Sequence, residues 1–272
     1  MSAITFYGNE ETLEIIQEKR PNLPRLKHHG LDLKRSMQLQ SWIGYFTLLR
    51  DPIFIVLVKE FWKYAKISDD GNTILSEIFR LPIDVTISSI VRVTGCVSSG
   101  VTIDEYQSYL SIVERFRVLH DSSVSYEPTN PGTLLPSAKT WFRFSLSNLH
   151  PQATARRTLS HDDIIFVFLL IHHFKINLPK TILIRLKHAI EISRTQTQSY
   201  IPYGRILSEI MIQDKIWELI KNNGPDNALV EERCARDDIR QKRPKPGWIS
   251  IEIITDTIEA EQDSNIDLKP EN

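Results

Sequence analysis

The sequence predicts a mainly α-helical protein with two helical subdomains, a small β-hairpin in the first subdomain and a disordered C-terminal tail. Apolar residues recur at helical spacing through most of the chain up to Gly224, and many of these runs begin at residues that cap helices. Two short segments rich in β-branched residues, TILSEIF and PIDVTIS, follow one another and fit an antiparallel hairpin. Beyond Gly224 the periodicity is lost, which predicts disorder.

Charge and cysteine content exclude several classes of protein. The chain has 33 basic and 34 acidic residues, so it lacks the strong basic excess of a dedicated nucleic-acid-binding domain. Its two cysteines cannot form a disulfide framework, and they suit a reducing compartment. The N-terminal residues include acids where a signal peptide needs an apolar stretch, and the apolar runs fall short of the ~20 residues that span a bilayer. We therefore expect an intracellular protein with no membrane contact.

The first part of the chain divides into an arm and a helical subdomain. Residues 1–36 form a polar N-terminal arm punctuated by prolines, in which acids after Asn9 predict a short helix at 10–19. Residues 37–119 form the first subdomain, with aromatic-rich helices followed by the hairpin and further helices. Residues 120–136 contain closely spaced prolines and a glycine, and we interpret them as a linker between the subdomains.

The second subdomain is predicted to be a helical bundle over residues 137–224. Its core helix is expected at 161–174, because a run of eight apolar residues without a polar face indicates a helix that is buried on all sides. Helices at 138–149 and 179–193 flank it, and the apolar stripes on two sides of the latter place it between neighbours.

Two pairs of residues mark helix starts most sharply. Thr102 with Glu105 has the spacing of a capping box, and the helix that it begins is expected to run to about Val118. Ser160 with Asp163 repeats this geometry before the apolar core helix. Both signals are local, so they predict where a helix begins but not what it packs against.

The tail, residues 225–272, is expected to be charged and mostly disordered. It carries 12 acidic and 7 basic residues and has few apolar ones. The segment WISIEII is an exception, because its alternating apolar residues fit one isolated strand.

No catalytic constellation is visible in the sequence. The motifs GxGxxG, GxxxxGK[ST], GxSxG and HExxH are all missing. The sequence nominates no histidine partner for Cys96, so a buried thiol is expected there. His161 and His172 would lie ~16 Å apart along one helix, too far to share a metal ion, and we interpret them and the adjacent acids as helix-end residues. We predict no catalytic residue, cofactor or metal.

Basic residues are the candidate contacts for nucleic acid or for a protein partner. Lys180, Lys187 and Arg194 recur at seven-residue spacing and would align along one helix, as a phosphate-binding stripe requires. The same stripe fits a solvated edge between two apolar stripes, and we favour this alternative. The other candidates lie in the loop before the core helix and in a tail run of nuclear-localisation type, which places the nucleus ahead of the cytoplasm: Arg156, Arg157, Arg240, Lys242, Arg243 and Lys245.

Several segments of the chain resemble one known family. LLPSAKTWFRFSLSNLHP, FKINLPKTI and YIPYGRILSEI, with LVKEFWKYA and IDVTISSIVRVTGC upstream, are similar to the plant transposon protein domain. That domain occurs in plant genomes, in open reading frames derived from gypsy-class LTR retroelements. The resemblance covers residues 50–222. It implies a retroelement-derived plant protein, and it supplies neither an enzymatic mechanism nor catalytic residues.

Two functional hypotheses follow from these observations. The first is a non-enzymatic, retroelement-derived helical interaction module with an unknown protein partner. The protease, polymerase and integrase motifs of a retroelement polyprotein are missing, and two cysteines cannot build a zinc finger of the integrase or knuckle type. The alternative is a nuclear nucleic-acid-associated protein that uses the basic helix stripe and the basic run of the tail.

Overall fold

Helices make up most of the structure, which confirms the predicted mainly α class. This computed structural model describes residues 13–16, 18, 33–49, 53–106, 112–123, 130–151, 159–195 and 200–223. The helices are, in chain order, α1 (Leu33–Gln40), α2 (Ile43–Leu48), α3 (Ile55–Tyr64), α4 (Ile87–Thr94), α5 (Ile103–Tyr106), α6 (Ile112–Leu119), α7 (Pro136–Phe144), α8 (His161–Ile171), α9 (Leu178–Thr195), α10 (Gly204–Gln213) and α11 (Ile216–Asn223). A 3₁₀ turn (Pro131–Thr133) precedes α7 and a π turn (Ser145–Leu149) follows it.

The predicted hairpin is present, and a third short strand extends it. The strands are β2 (Lys66–Ile67), β3 (Ile74–Ile78) and β4 (Leu81–Val85), and β3 pairs antiparallel with both of the others. Phe79 and Arg80 form the turn between β3 and β4, and both have positive φ, at 48° and 69°. Such angles match the right-handed twist of a two-residue hairpin. In this sheet β4 is an edge strand.

The N-terminal segment forms a strand, so the helix expected at 10–19 is wrong for the residues described there. β1 (Glu14–Ile15) pairs in parallel with β5 (Tyr200–Ile201), and Ile16 N donates to Ile201 O at 3.0 Å. A helix cap contributes about 1 kcal/mol. Burying the side chain of Leu13, which is 4% exposed, stabilises by about 2 kcal/mol in addition to the strand hydrogen bonds. The long-range pairing therefore outweighs the local helix signal.

Helix α8 is the most deeply buried helix among the described residues. The predicted capping box begins it: Asp163 N donates to Ser160 Oγ at 3.2 Å, and Ser160 N donates to Asp163 Oδ2 at 2.9 Å. Every side chain from Asp163 to Leu170 is buried. Helices α5, α6 and α7 and the π turn pack around α8, so the predicted core helix is confirmed, although it ends at Ile171 and not at 174.

Other helical regions are also bounded differently from the prediction. The capping box of Thr102 and Glu105 is present, but α5 is described only as far as Tyr106 and α6 begins at Ile112, with residues 107–111 outside the described part. The final helical region is broken between α10 and α11 at Lys215, whose φ is 58°. A left-handed residue inside a helix ends its hydrogen-bond ladder, so two short helices replace one long helix.

One continuous apolar core contains side chains from both predicted subdomains. Helix α4 packs against α2, α9 and α10, and α3 packs against α10. The core includes Phe61 from the first subdomain and Leu186 and Leu207 from the second. The described ends of the predicted linker are joined, since Asp121 N donates to Thr133 O at 2.8 Å. The division at 120–136 itself stays a prediction.

Two further expectations concern the tail and the membrane. The predicted disorder over 225–272 concerns residues outside the described part of the chain. Within the described part, no helix combines the length and the apolar character needed to cross a bilayer.

We expect Gly44→Ala to lower the free energy of unfolding by about 1–3 kcal/mol. A Cβ at Gly44 would lie 2.1 Å from the carbonyl oxygen of Thr94, so α2 and α4 would have to move apart. Without this close approach, alanine would stabilise the helix by up to about 1 kcal/mol. The exposed Thr47→Ala on the same helix is the control. Chemical denaturation with equal stabilities for the two variants would contradict the prediction.

Candidate functional site

The three described basic candidates lie along α9, as predicted, and they bind acceptors within the protein. Lys180 Nζ lies 2.7 Å from Glu105 Oε1, and Lys187 Nζ donates to Gly71 O at 2.8 Å. Both acceptors belong to the part of the chain that precedes residue 120. The three side chains are therefore aligned along α9 as predicted, but their charged groups contact acceptors within the protein.

Arg194 makes the most extensive of these contacts. Its Nη2 atom donates to Ala65 O at 2.5 Å, Trp62 O at 3.3 Å and Lys63 O at 3.4 Å. These carbonyls lie at the C-terminal end of α3, where they lack intrahelical partners and where a positive charge is favoured. Burial lowers the pKa of the guanidinium. Arg194 therefore caps the C-terminal end of α3. The sequence favours a solvated edge for this stripe, so the observed contact differs from that expectation.

The remaining basic candidates cannot be placed relative to this stripe. Arg156 and Arg157 lie outside the described residues. The tail candidates also lie outside them: Arg240, Lys242, Arg243 and Lys245. Their role in binding nucleic acid or a partner stays a prediction.

The residues that suggested a metal occupy helix ends. Asp163 belongs to the capping box of α8, and Asp162 pairs with Arg185 at 3.4 Å. His172 follows the last residue of α8, and His173 has a left-handed φ of 57°, as at many helix C-termini. In the portion of the chain that is described, no group of three or more His, Cys, Asp or Glu side chains is arranged to hold a metal ion.

Cys96 and two tyrosines are buried, and their contacts are structural. Cys96 is 1% exposed, and burial raises the pKa of its thiol, which lowers the reactive thiolate fraction. The hydroxyls of Tyr45 and Tyr203 donate to Asn148 O at 2.6 Å and to Leu149 O at 2.8 Å. Burial raises the pKa of both tyrosines, so they act as neutral donors that hold the π turn.

Glu18 and Arg205 form a buried ion pair that sequence reasoning did not predict. Arg205 Nη1 lies 3.3 Å from Glu18 Oε2 and also donates to Glu18 O at 3.2 Å, and the two side chains are 9% and 0% exposed. Burial raises the pKa of Glu18, while the Arg205 charge acts in the opposite direction. The pair joins the N-terminal segment to α10. Since it is enclosed by protein, it links these two parts of the chain and offers no open site.

An open cleft lies between β4, α4 and the segment that leads into and begins α11. Its volume is about 540 Å³. Ile83 and Ile216 are almost fully buried and form apolar parts of its lining, while Leu219 is 40% exposed. Arg92 and Asp214 pair at the same cleft, with their side chains 48% and 29% exposed. The cleft therefore has a mixed lining, in which apolar side chains stand beside at least as many polar ones.

The backbone of β4 adds polar groups to this cleft. In a two-residue hairpin the residues that flank the turn, Ile78 and Leu81, form a hydrogen-bonded pair, and the pairing alternates along the strands. Pro82 and Asp84 therefore occupy the positions whose backbone groups point away from β3. Pro82 has no N–H, so the open edge presents the Asp84 N–H and the carbonyls of both residues.

Sequence reasoning missed the cleft, although one local signal was available. Pro82 lies inside a strand segment, and proline in a strand indicates an edge position. The opposite wall comes from α11, which is more than a hundred residues away along the chain. Nothing in the local pattern of either segment indicates that they meet.

No family model, curated protein or solved structure matches this chain. The resemblance to the plant transposon protein domain therefore stays a prediction.

We expect Arg194→Met to lower the free energy of unfolding by about 2 kcal/mol, because charged hydrogen bonds to the end of α3 are lost. Lys180→Met is the matched control on the same helix. It removes an exposed ion pair and should cost at most about 1 kcal/mol. Urea denaturation of both variants measures the difference. Equal losses would show that Arg194 contributes no more than a surface charge.

We expect Glu18→Gln to change the pH dependence of stability. A raised pKa means that the folded chain holds this proton where the unfolded chain, near 4.5, has released it. The stabilising contribution is therefore present below 4.5 and is lost as the pH rises through the folded pKa. Stability relative to the wild type should shift in favour of Glu18→Gln as the pH rises. Denaturation across this range, with the exposed Glu77→Gln as control, tests this expectation, which a pH-independent difference would contradict.

Proposed function

We propose that this chain is a non-enzymatic interaction protein that binds an extended peptide segment along β4. The observation that carries the proposal is the cleft beside an edge strand, with apolar side chains on its floor and backbone groups along one wall. An extended peptide satisfies both features at once. Its main chain pairs with the exposed strand edge, and its alternate side chains fill the apolar space.

The charged side chains at the cleft are expected to affect which peptides bind more than how tightly they bind. Arg92 is paired with Asp214, which leaves the exposed Asp84 as the acidic group beside the open strand edge. A partially exposed ion pair contributes little affinity. The exposed apolar side chain of Leu219 is therefore expected to supply most of the binding free energy, and the β4 backbone is expected to set the register.

We further propose that the chain derives from a plant retroelement and that it divides into subdomains at 37–119 and 137–224. In that division the cleft lies between the subdomains, since β4 belongs to the first and α11 to the second. Binding sites often occur at such boundaries. A partner seated there would bridge the two parts of the chain.

The nucleic-acid alternative has less support. The three described cations of the α9 stripe bind internal acceptors, and a phosphate would have to displace those contacts. The alternative therefore depends on Arg156, Arg157 and the basic run at 240–245, together with the nuclear location that this run suggests.

We expect Leu219→Lys to weaken peptide binding by about tenfold or more, because it places a charge on the apolar surface of the cleft. The probes are short peptides selected from a random displayed library against the full chain and measured by fluorescence anisotropy. Ile212→Lys is the matched control, since Ile212 is 39% exposed on α10 and does not line the cleft. Equal affinity for the two variants would place binding elsewhere. Enzymatic turnover that is lost in Leu219→Lys alone would indicate an active site instead.

A further inference from the structure

We infer that the chain's own tail occupies the cleft, with the segment WISIEII, residues 248–254, added to the sheet as a strand beside β4. This inference rests on the proposed function, because it uses the same cleft and names the segment that fills it. The tail would then act as a tethered ligand with which any other peptide must compete.

The side-chain pattern of the segment matches the two faces of the sheet. In an extended strand Ile249, Ile251 and Ile253 share one face, while the other face has Ser250 and Glu252 at its centre and Trp248 and Ile254 at its ends. The inner face of β4 carries buried side chains such as Ile83, and its outer face carries the exposed Pro82 and Asp84. A strand paired with β4 would therefore place Ile249, Ile251 and Ile253 toward Ile216 and Leu219, and Ser250 and Glu252 toward solvent.

The open edge of β4 and the composition of the segment each favour pairing with another strand. Among the described residues, β4 pairs only with β3, and its outer backbone groups face the cleft. WISIEII is an apolar segment within an acidic, polar tail, and an isolated strand is not stable in water. Pairing the two would satisfy the Asp84 N–H and would cover the apolar surface of the segment in one step.

The connection between the cleft and the segment is long enough. Helix α11 lines the cleft through Leu219 and ends at Asn223, so the tail begins about 6 Å along the helix axis from the site. Residues 224–247 separate that end from the segment, and a flexible chain of this length has a root-mean-square span of about 25–30 Å. Tethering over such a distance gives an effective concentration on the order of millimolar.

The exchange rate of one backbone amide tests the inference. In the full chain, NMR hydrogen exchange should show the Asp84 amide protected, and Ile251→Pro should speed its exchange by about tenfold or more, because proline removes a strand donor and a strand conformation. The Ile83 amide faces β3 and should not change. Ala260→Pro, in the same tail but outside the segment, is the matched control. Equal Asp84 exchange in the wild type and in Ile251→Pro would overturn the inference.

Two further measurements separate this inference from the proposed function. A synthetic peptide with the sequence of residues 246–256, added to the Ile251→Pro chain, should restore protection of Asp84. Protection in the wild type should not depend on protein concentration; if it rises with concentration, the occupant is a second copy and the inference fails. If Asp84 is unprotected in the full chain but a library-selected peptide protects it, the inference fails while the proposed function stands. If no peptide protects it, both fail.

Discussion

A helix without a polar face has to be covered on every side, and α8 imposes this requirement on the whole structure. The helices around it supply that cover, and hydrogen bonds to polar side chains are made at both of its ends. At its start, Ser160 and Asp163 satisfy each other. Beyond its end, the side chain of Gln40 donates to Phe174 O at 2.7 Å and accepts from Ile176 N at 2.8 Å. Helix α1 is thereby attached to the segment that leads from α8 into α9.

The basic side chains of α9 hold together parts of the chain that are far apart in sequence. Lys180 binds Glu105, 75 residues away, and Arg194 reaches Trp62, 132 residues away. The guanidinium of Arg194 donates to carbonyls at the end of α3, as backbone N–H groups of a continuing helix would. Its positive charge also interacts favourably with the helix dipole. A row of cations at helical spacing is therefore weak support for phosphate binding, because helix ends elsewhere in a protein attract the same side chains.

Sequence reasoning succeeded here where the determining interactions are local. The capping box of Ser160 and Asp163 closes within four residues, and the hairpin depends on a two-residue turn, so both could be predicted. The N-terminal strand could not, because Glu14 pairs with a segment formed much later in the chain. One side of the candidate cleft could be predicted, because Pro82 indicates an edge strand. The opposite wall belongs to α11, and no local pattern predicts that α11 lies beside β4. The role of Arg194 could not be predicted either, because it depends on acceptors that are far away in the sequence.

The buried pair of Glu18 and Arg205 and the strands β1 and β5 have a consequence for the order in which the chain folds. Glu18 and Arg205 are 187 residues apart, so their contact encloses most of the chain and adds to a high contact order. During synthesis, residues 13–16 and 18 can reach neither β5 nor Arg205 until those later parts of the chain have been made. This segment is thus among the last described parts of the fold to reach its partners.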